Sequence, residues 1–124
     1  MLKGKPRVLI VDDEPDILLM LRVNFETEGY ETIFASDGAT ALKRIAEDKP
    51  DVVLLDIMMP IMDGWGVLEG CQSLEHRPAI IVLSAKAGHD DIERAHSLGA
   101  YEYVTKPFDP EQLVNIVGQA LGRA

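Results

Sequence analysis

The chain has 124 residues, 47% of them hydrophobic and 27% charged, and a formal net charge of −9. That length suits a single domain, 1–124, with a real core, and the balance excludes a disordered chain. The charge argues against direct binding of nucleic acid or an anionic membrane, because both would repel it.

Residues 7–12 form an apolar run, Val8-Leu9-Ile10-Val11, that ends in Asp12. This is the pattern of a strand buried on both faces. Asp12-Asp13-Glu14 places three acids together, and Pro15 follows at a good first helical position. Ile17, Leu18, Leu21 and Phe25 recur at helical spacing, which predicts a helix over 14–28 with Gly29 just past its end. Tyr30 to Ser36 predicts a second strand, less uniformly apolar and so nearer a sheet edge. Asp37-Gly38 is a break. Ala41, Leu42, Ile45 and Ala46 mark the apolar face of a second helix ending before Lys49-Pro50.

Val52-Val53-Leu54-Leu55-Asp56 repeats the first pattern, an apolar run with one carboxylate at its end. Val67, Leu68, Cys71 and Leu74 then predict a helix over 64–74, weakened by Gly66 and Gly70 by about 1 kcal/mol each. Ala79 to Leu83 is a fourth strand, ending at Ser84. Ile92, Ala95 and Leu98 are the only apolar anchors of a helix over 90–98, capped by Gly99 and expected to be loosely held. Tyr101 to Thr105 is a fifth strand with Lys106 at its end. Pro110 opens a last helix that buries Leu113, Val114, Val117 and Leu121. Five strands alternating with five helices through short connections imply right-handed crossovers. The expected fold is α/β, a parallel sheet with helices on both faces.

In a parallel sheet every strand ends on the same edge. Asp12 and Asp13, Asp56, Ser84 and Lys106 therefore converge. Three carboxylates in one place repel, and a hard divalent cation such as Mg²⁺, which prefers oxygen ligands, would remove the conflict. Asp56 could then act as a carboxylate nucleophile toward a phosphoryl group. Lys106 would neutralise the phosphoryl oxygens and Ser84 would donate a hydrogen bond to one of them.

The motifs Val11-Asp12-Asp13-Glu14, Asp56-Ile57-Met58-Met59-Pro60, Met62-Asp63-Gly64, Leu83-Ser84-Ala85, Gly99-Ala100 and Lys106-Pro107-Phe108 occur in this order across residues 7–121. With them the chain resembles the receiver domain of two-component response regulators. The resemblance implies a doubly wound, flavodoxin-like sheet of order 2-1-3-4-5. It also implies that Asp56 is the phosphoacceptor, that Asp13 and Asp56 ligate Mg²⁺ directly, and that Asp12 acts largely through water. The carbonyl of Met58 would complete the ligands. Lys106, Ser84 and the backbone N–H of Ala85 would contact the phosphoryl group. Pro107 would follow a cis peptide bond. Tyr103 would sit at the aromatic switch position, coupled to Ser84, and the fourth helix, fifth strand and fifth helix would carry the output. The implied partners are a histidine kinase or phosphotransfer protein and an output protein or domain.

Other residues read more plainly. Cys71 is a small buried hydrophobe on a helix; as the single cysteine it excludes an internal disulfide. Lys86, His76, His89 and His96 read as surface groups, and Met58, Met59 and Met62 as adaptable packing or partner surface. Trp65 reads as a partly exposed aromatic at a helix start, and Asp63-Gly64 as a turn. No apolar run reaches the ~18 residues of a membrane span, and Met1 to Pro6 is no signal peptide, so the expected location is cytoplasmic. Two departures from the family stand out. Ser84 stands where threonine is commoner, which would loosen its coupling to Tyr103. Tyr101-Glu102 replaces a common acidic pair, and the last helix lacks the arginine that bridges many family dimers, which favours a monomer or weak dimer. An aspartyl-phosphate phosphohydrolase would need a second Asp where Met58 stands. A flavin module would meet repulsion between its phosphate and Asp12-Asp13-Glu14. A receiver that docks without phosphorylation would not need the intact residue set. The function expected is thus a phosphorylation-dependent switch and not a metabolic enzyme.

Overall fold

The computed structural model describes residues 5–58, 62–75, 77–86 and 88–122. Met59, Pro60, Ile61 and His76 lie outside the described residues. The elements follow the sequence alternation: β1 (Arg7–Val11), α1 (Pro15–Thr27), β2 (Glu31–Ala35), α2 (Gly38–Asp48), β3 (Val52–Asp56), α3 (Gly64–Cys71), β4 (Ala79–Ser84), α4 (His89–Ser97), β5 (Glu102–Thr105) and α5 (Pro110–Ala120). All strand pairs are parallel, in the order β2-β1-β3-β4-β5. This is the doubly wound arrangement, with the reversal of order between β1 and β3.

Side chains alternate across a strand, so each buried strand feeds two cores. Leu9, Val11, Val53, Leu55 and Val82 pack with α2, α3 and α4. Val8, Ile10, Val52, Leu54, Ile81 and Leu83 pack with α1 and α5. Every residue of β3 is buried. Each such aliphatic side chain, fully buried, contributes about 1.5–3 kcal/mol, so β3 is the fixed axis of the fold and Asp56 rides on its end.

Several boundaries differ from the sequence reading. Tyr30 precedes β2 and is buried edge-on against Phe25, with ring centroids 5.4 Å apart. Helix α3 stops at Cys71, and Leu74 packs beyond it as a half-buried loop residue. Ala46 faces solvent, so α2 buries only Gly38, Ala41 and Ile45. Asp37 is more than a break: its carboxylate caps α2 by accepting from the Thr40 N–H at 2.8 Å. At the opposite edge of the sheet Arg7 binds Glu31 at 2.7 Å and the last α2 carbonyl, that of Asp48, at 2.6 Å. One arginine thereby ties β1 and β2 to the α2 C-terminus.

The loop after β3 is built on close approach. The Gly38 N–H donates to the Met62 carbonyl at 3.0 Å, and the Gly64 N–H donates to the Ile57 carbonyl at 2.9 Å. A Cβ at Gly64 would lie 2.7 Å from the Ile57 Cα and 2.8 Å from the Asp56 carbonyl oxygen. Asp63 caps α3, accepting from the Gly66 N–H at 3.2 Å. Asp63-Gly64 is therefore the closure of the loop that follows Asp56 as well as a turn. Gly64→Ala is expected to destabilise the protein by about 1–3 kcal/mol. Gly118→Ala, on α5 with nothing within 4 Å of the added carbon, should stabilise it by about 0.5–1 kcal/mol. Urea midpoints of the two variants, with an unchanged m-value, check both signs.

Candidate phosphoacceptor site

The strand ends bring the five polar residues together at the C-terminal edge of the sheet, beside the β1/β3 switch point. Asp12 is 1% exposed, Asp56 4% and Ser84 1%. Asp13, one residue beyond Asp12, is exposed. One carboxylate oxygen from each of Asp12, Asp13 and Asp56 lies within 4.8 Å of the others. The Lys106 ammonium reaches Asp12 Oδ2 at 3.2 Å and Asp56 Oδ2 at 3.5 Å.

Backbone donors fix the remaining oxygens. Asp12 Oδ1 accepts the Glu14 N–H at 2.9 Å, and Asp56 Oδ1 accepts the Met58 N–H at 3.1 Å. The Met58 side chain is exposed beside the site. Ser84 Oγ accepts the Lys86 N–H at 3.1 Å, which leaves its own O–H free to donate. The Lys106 N–H donates to the Ser84 carbonyl at 2.8 Å, locking the ends of β4 and β5 together, and the Lys106–Pro107 peptide is cis.

The electrostatics are unbalanced. Burial, reinforced by the Asp12 charge, holds the Asp56 carboxyl above its ordinary value of 3.8, and the partial relief from Lys106 is not enough. Burial opposes the charge on Lys106, but Asp56 and Asp12 together outweigh it and hold the ammonium above 10.5. The two shifts have one cause: a single cation faces two buried carboxylates. All the clustered donors are oxygens, the set that suits a hard divalent cation and not a thiolate or imidazole metal. His89 and His96 stand apart from it. His89 pairs with Glu93 on the surface at 3.0 Å, and His96 Nδ1 lies 3.2 Å from the Ala100 carbonyl.

Tyr103 is half-buried against the α2–α4 core, and its hydroxyl donates to the Lys86 carbonyl at 2.8 Å. Ser84 and Tyr103 thus grip the N–H and the C=O of the same residue. The Lys86 side chain is exposed, as expected, but its backbone joins the two. Periodicity carries no signal for that role.

The model of the family described as the response regulator receiver domain matches residues 8–118. The chain belongs to the response regulator receiver family. The regulatory protein AtoC of Escherichia coli is 45% identical over 93% of this chain but only 25% of its own length. The transcriptional regulatory protein KdpE of Mycobacterium tuberculosis is 45% identical over 94% of this chain and 51% of its own. The receiver domain thus spans about half or less of these curated relatives. Among solved structures, the receiver domain of Francisella response regulator 1452 is 32% identical, with a TM-score of 0.90, covering 96% of this chain and 98% of that one. The signal receiver domain of a putative LuxO repressor protein from Vibrio parahaemolyticus gives a TM-score of 0.91 at 26% identity, covering 96% and 92%. Among the described residues, no helix is long and apolar enough to cross a membrane.

The charge imbalance has a measurable pH signature. A raised carboxyl value means that the fold favours protonated Asp56. Asp56 therefore costs stability as pH rises from 3.8 through its folded value, and the cost persists above it. Lys106 contributes stability below 10.5 that is lost only as pH climbs past that value through its folded one. Carboxyl-carbon NMR in metal-free buffer should show Asp56 titrating above 3.8. Asp12→Asn should move that titration down, and Lys106→Met should move it up.

Proposed function

We propose that this domain is a phosphorylation-dependent switch in which Asp56 accepts a phosphoryl group from a phosphohistidine on a histidine kinase or phosphotransfer protein. The observation that carries this reading is the buried Asp56 carboxylate that shares the Lys106 ammonium with buried Asp12 at the C-terminal edge of the sheet. An Asp56 oxygen attacks phosphorus in line, the P–N bond breaks, and its electron pair leaves with the imidazole. Lys106 meets the charge on the phosphoryl oxygens. The Ser84 O–H, whose oxygen is oriented by the Lys86 N–H, donates to one of them, and the Ala85 N–H would contact the same group. Mg²⁺, held by Asp13 and Asp56 directly, by Asp12 largely through water and by the Met58 carbonyl, would supply the positive charge that the cluster lacks. Positioning and charge account for most catalysis of phosphoryl transfer, so no further acid or base is required.

The output follows from the shared grip on Lys86. When the Ser84 hydroxyl turns to the phosphoryl group, the Lys86 backbone and the Tyr103 hydroxyl bonded to it shift in population. The surface of α4, β5 and α5 then presents a different face to an output protein or domain. The domain serves signalling and not metabolism, its site acting on its own aspartate. Residues 1–124 form one receiver unit in the cytoplasm, a monomer or weak dimer.

Acetyl phosphate with Mg²⁺ is expected to label the wild type, and Asp56→Asn or chelation should reduce labelling to background. Label retained in Asp56→Asn would remove the assignment. Mg²⁺ at ten times its dissociation constant should raise stability at neutral pH by about 1.4 kcal/mol. That gain should shrink as acid protonates Asp56, which thermal unfolding across pH will read.

A further inference from the structure

Helix α4 poses a packing problem. Ala95 is its single buried residue, Ile92 is half-buried, and its remaining surface is charged or polar. Apolar contact with the sheet alone would leave it weakly held. Two polar contacts run sideways from it to α3. The Arg94 guanidinium lies over the Trp65 ring, 4.1 Å from the centroid, within the range of a cation–π contact. The Gln72 side-chain amide donates to the Leu98 carbonyl at the α4 C-cap. Trp65 and Gln72 are seven residues, two turns, apart, so both project from one side of α3 and its last turn. They meet α4 near both ends of its second half.

Helix α3 is in turn fastened to the loop after Asp56. Asp63 caps it, the Gly64 N–H donates to the Ile57 carbonyl, and Met62 lies against its first turn, where a Cβ at Gly66 would come 2.6 Å from Met62 Cγ. Trp65 is the residue directly after this closure, and it packs on the α2–α4 core.

We propose that Arg94 over Trp65 and Gln72 on Leu98 form a strap that hangs α4 from α3, so that the state of the Asp56 loop and the position of α4 are linked by a second route, independent of Tyr103. The strap rests on the reading of Asp56 as phosphoacceptor. A link of this kind is reciprocal: loosening α4 must alter affinity at Asp56 by the same factor by which occupation of Asp56 alters α4. An exposed cation–π contact is worth about two- to five-fold, which is the ceiling on that factor.

The test uses the full chain with Arg94→Ala, Arg94→Lys and Gln72→Ala. Arg94 and Gln72 are exposed, so the variants keep the fold, which circular dichroism checks. Amide exchange in α4 should quicken by about two- to five-fold in Arg94→Ala and Gln72→Ala, while α5 stays unchanged. Arg94→Lys, which keeps the cation, should recover part of the protection. Beryllofluoride with Mg²⁺, followed by fluorine NMR, should bind Arg94→Ala and Gln72→Ala with an affinity altered by up to that factor. The emission of Trp65, the only tryptophan, should respond to that probe in the wild type and lose at least half of the response in Arg94→Ala. Wild-type exchange in α4, or wild-type affinity for beryllofluoride, in both Arg94→Ala and Gln72→Ala would overturn the strap. Failure of the wild type to take up beryllofluoride or acetyl phosphate would instead overturn the Asp56 reading, and the coupling with it.

Discussion

Two buried carboxylates share one ammonium at the C-terminal edge of the sheet, and the charge does not balance. Asp12 and Asp56 are almost sealed from water, where an uncompensated charge costs several kcal/mol. Lys106 offsets part of that cost, and the exposed Asp13 adds to the negative field. The fold tolerates the residue of unfavourable energy because β1 and β3 are anchored on both faces by large aliphatic side chains. The same imbalance is what the proposed hard cation and phosphoryl group would relieve. Stability at this edge is given up for a site that is poised to be completed.

The two faces of the sheet divide the work. Helices α1 and α5 close one core around Phe25, Leu21, Leu113 and Val117. Helices α2, α3 and α4 close the other, and nearly every device beyond the carboxylates lies on that side: the Asp63 cap, the Gly64 approach, Trp65, Arg94 and Tyr103. Helix α4 is the least buried of them and the one held most by polar contacts. Contacts of this kind can be exchanged without dismantling a core, which suits the shift proposed for α4.

Strand runs such as Val52–Asp56 were readable because burial on both faces leaves a continuous apolar signature. The alternation with helices then dictated a parallel sheet, and a parallel sheet dictated that Asp12, Asp56, Ser84 and Lys106 share an edge. Local pattern was a poorer guide where the outcome depended on a distant partner. Ala46 fits a helical apolar face but meets solvent, because the sheet is covered by Ala41 and Ile45. Gly64 reads as a turn residue, yet what it meets is the backbone of Asp56 and Ile57. Arg94 and Trp65 are 29 positions apart in the numbering, and no periodicity pairs them. Lys86 looked like a solvated lysine, and its side chain is one; its backbone role emerges only with Ser84 and Tyr103 on either side.

The central claim is that one carboxylate of the three, Asp56, takes the phosphoryl group. It is tested most directly by treating the protein with acetyl phosphate and Mg²⁺, reducing the acyl phosphate with borohydride, and sequencing the peptides by mass spectrometry. Reduction converts a phosphorylated aspartate to homoserine. The account predicts homoserine at position 56 and intact aspartate at Asp12 and Asp13. Homoserine at position 12 or 13, or at none of the three while the protein remains folded and binds Mg²⁺, would contradict it.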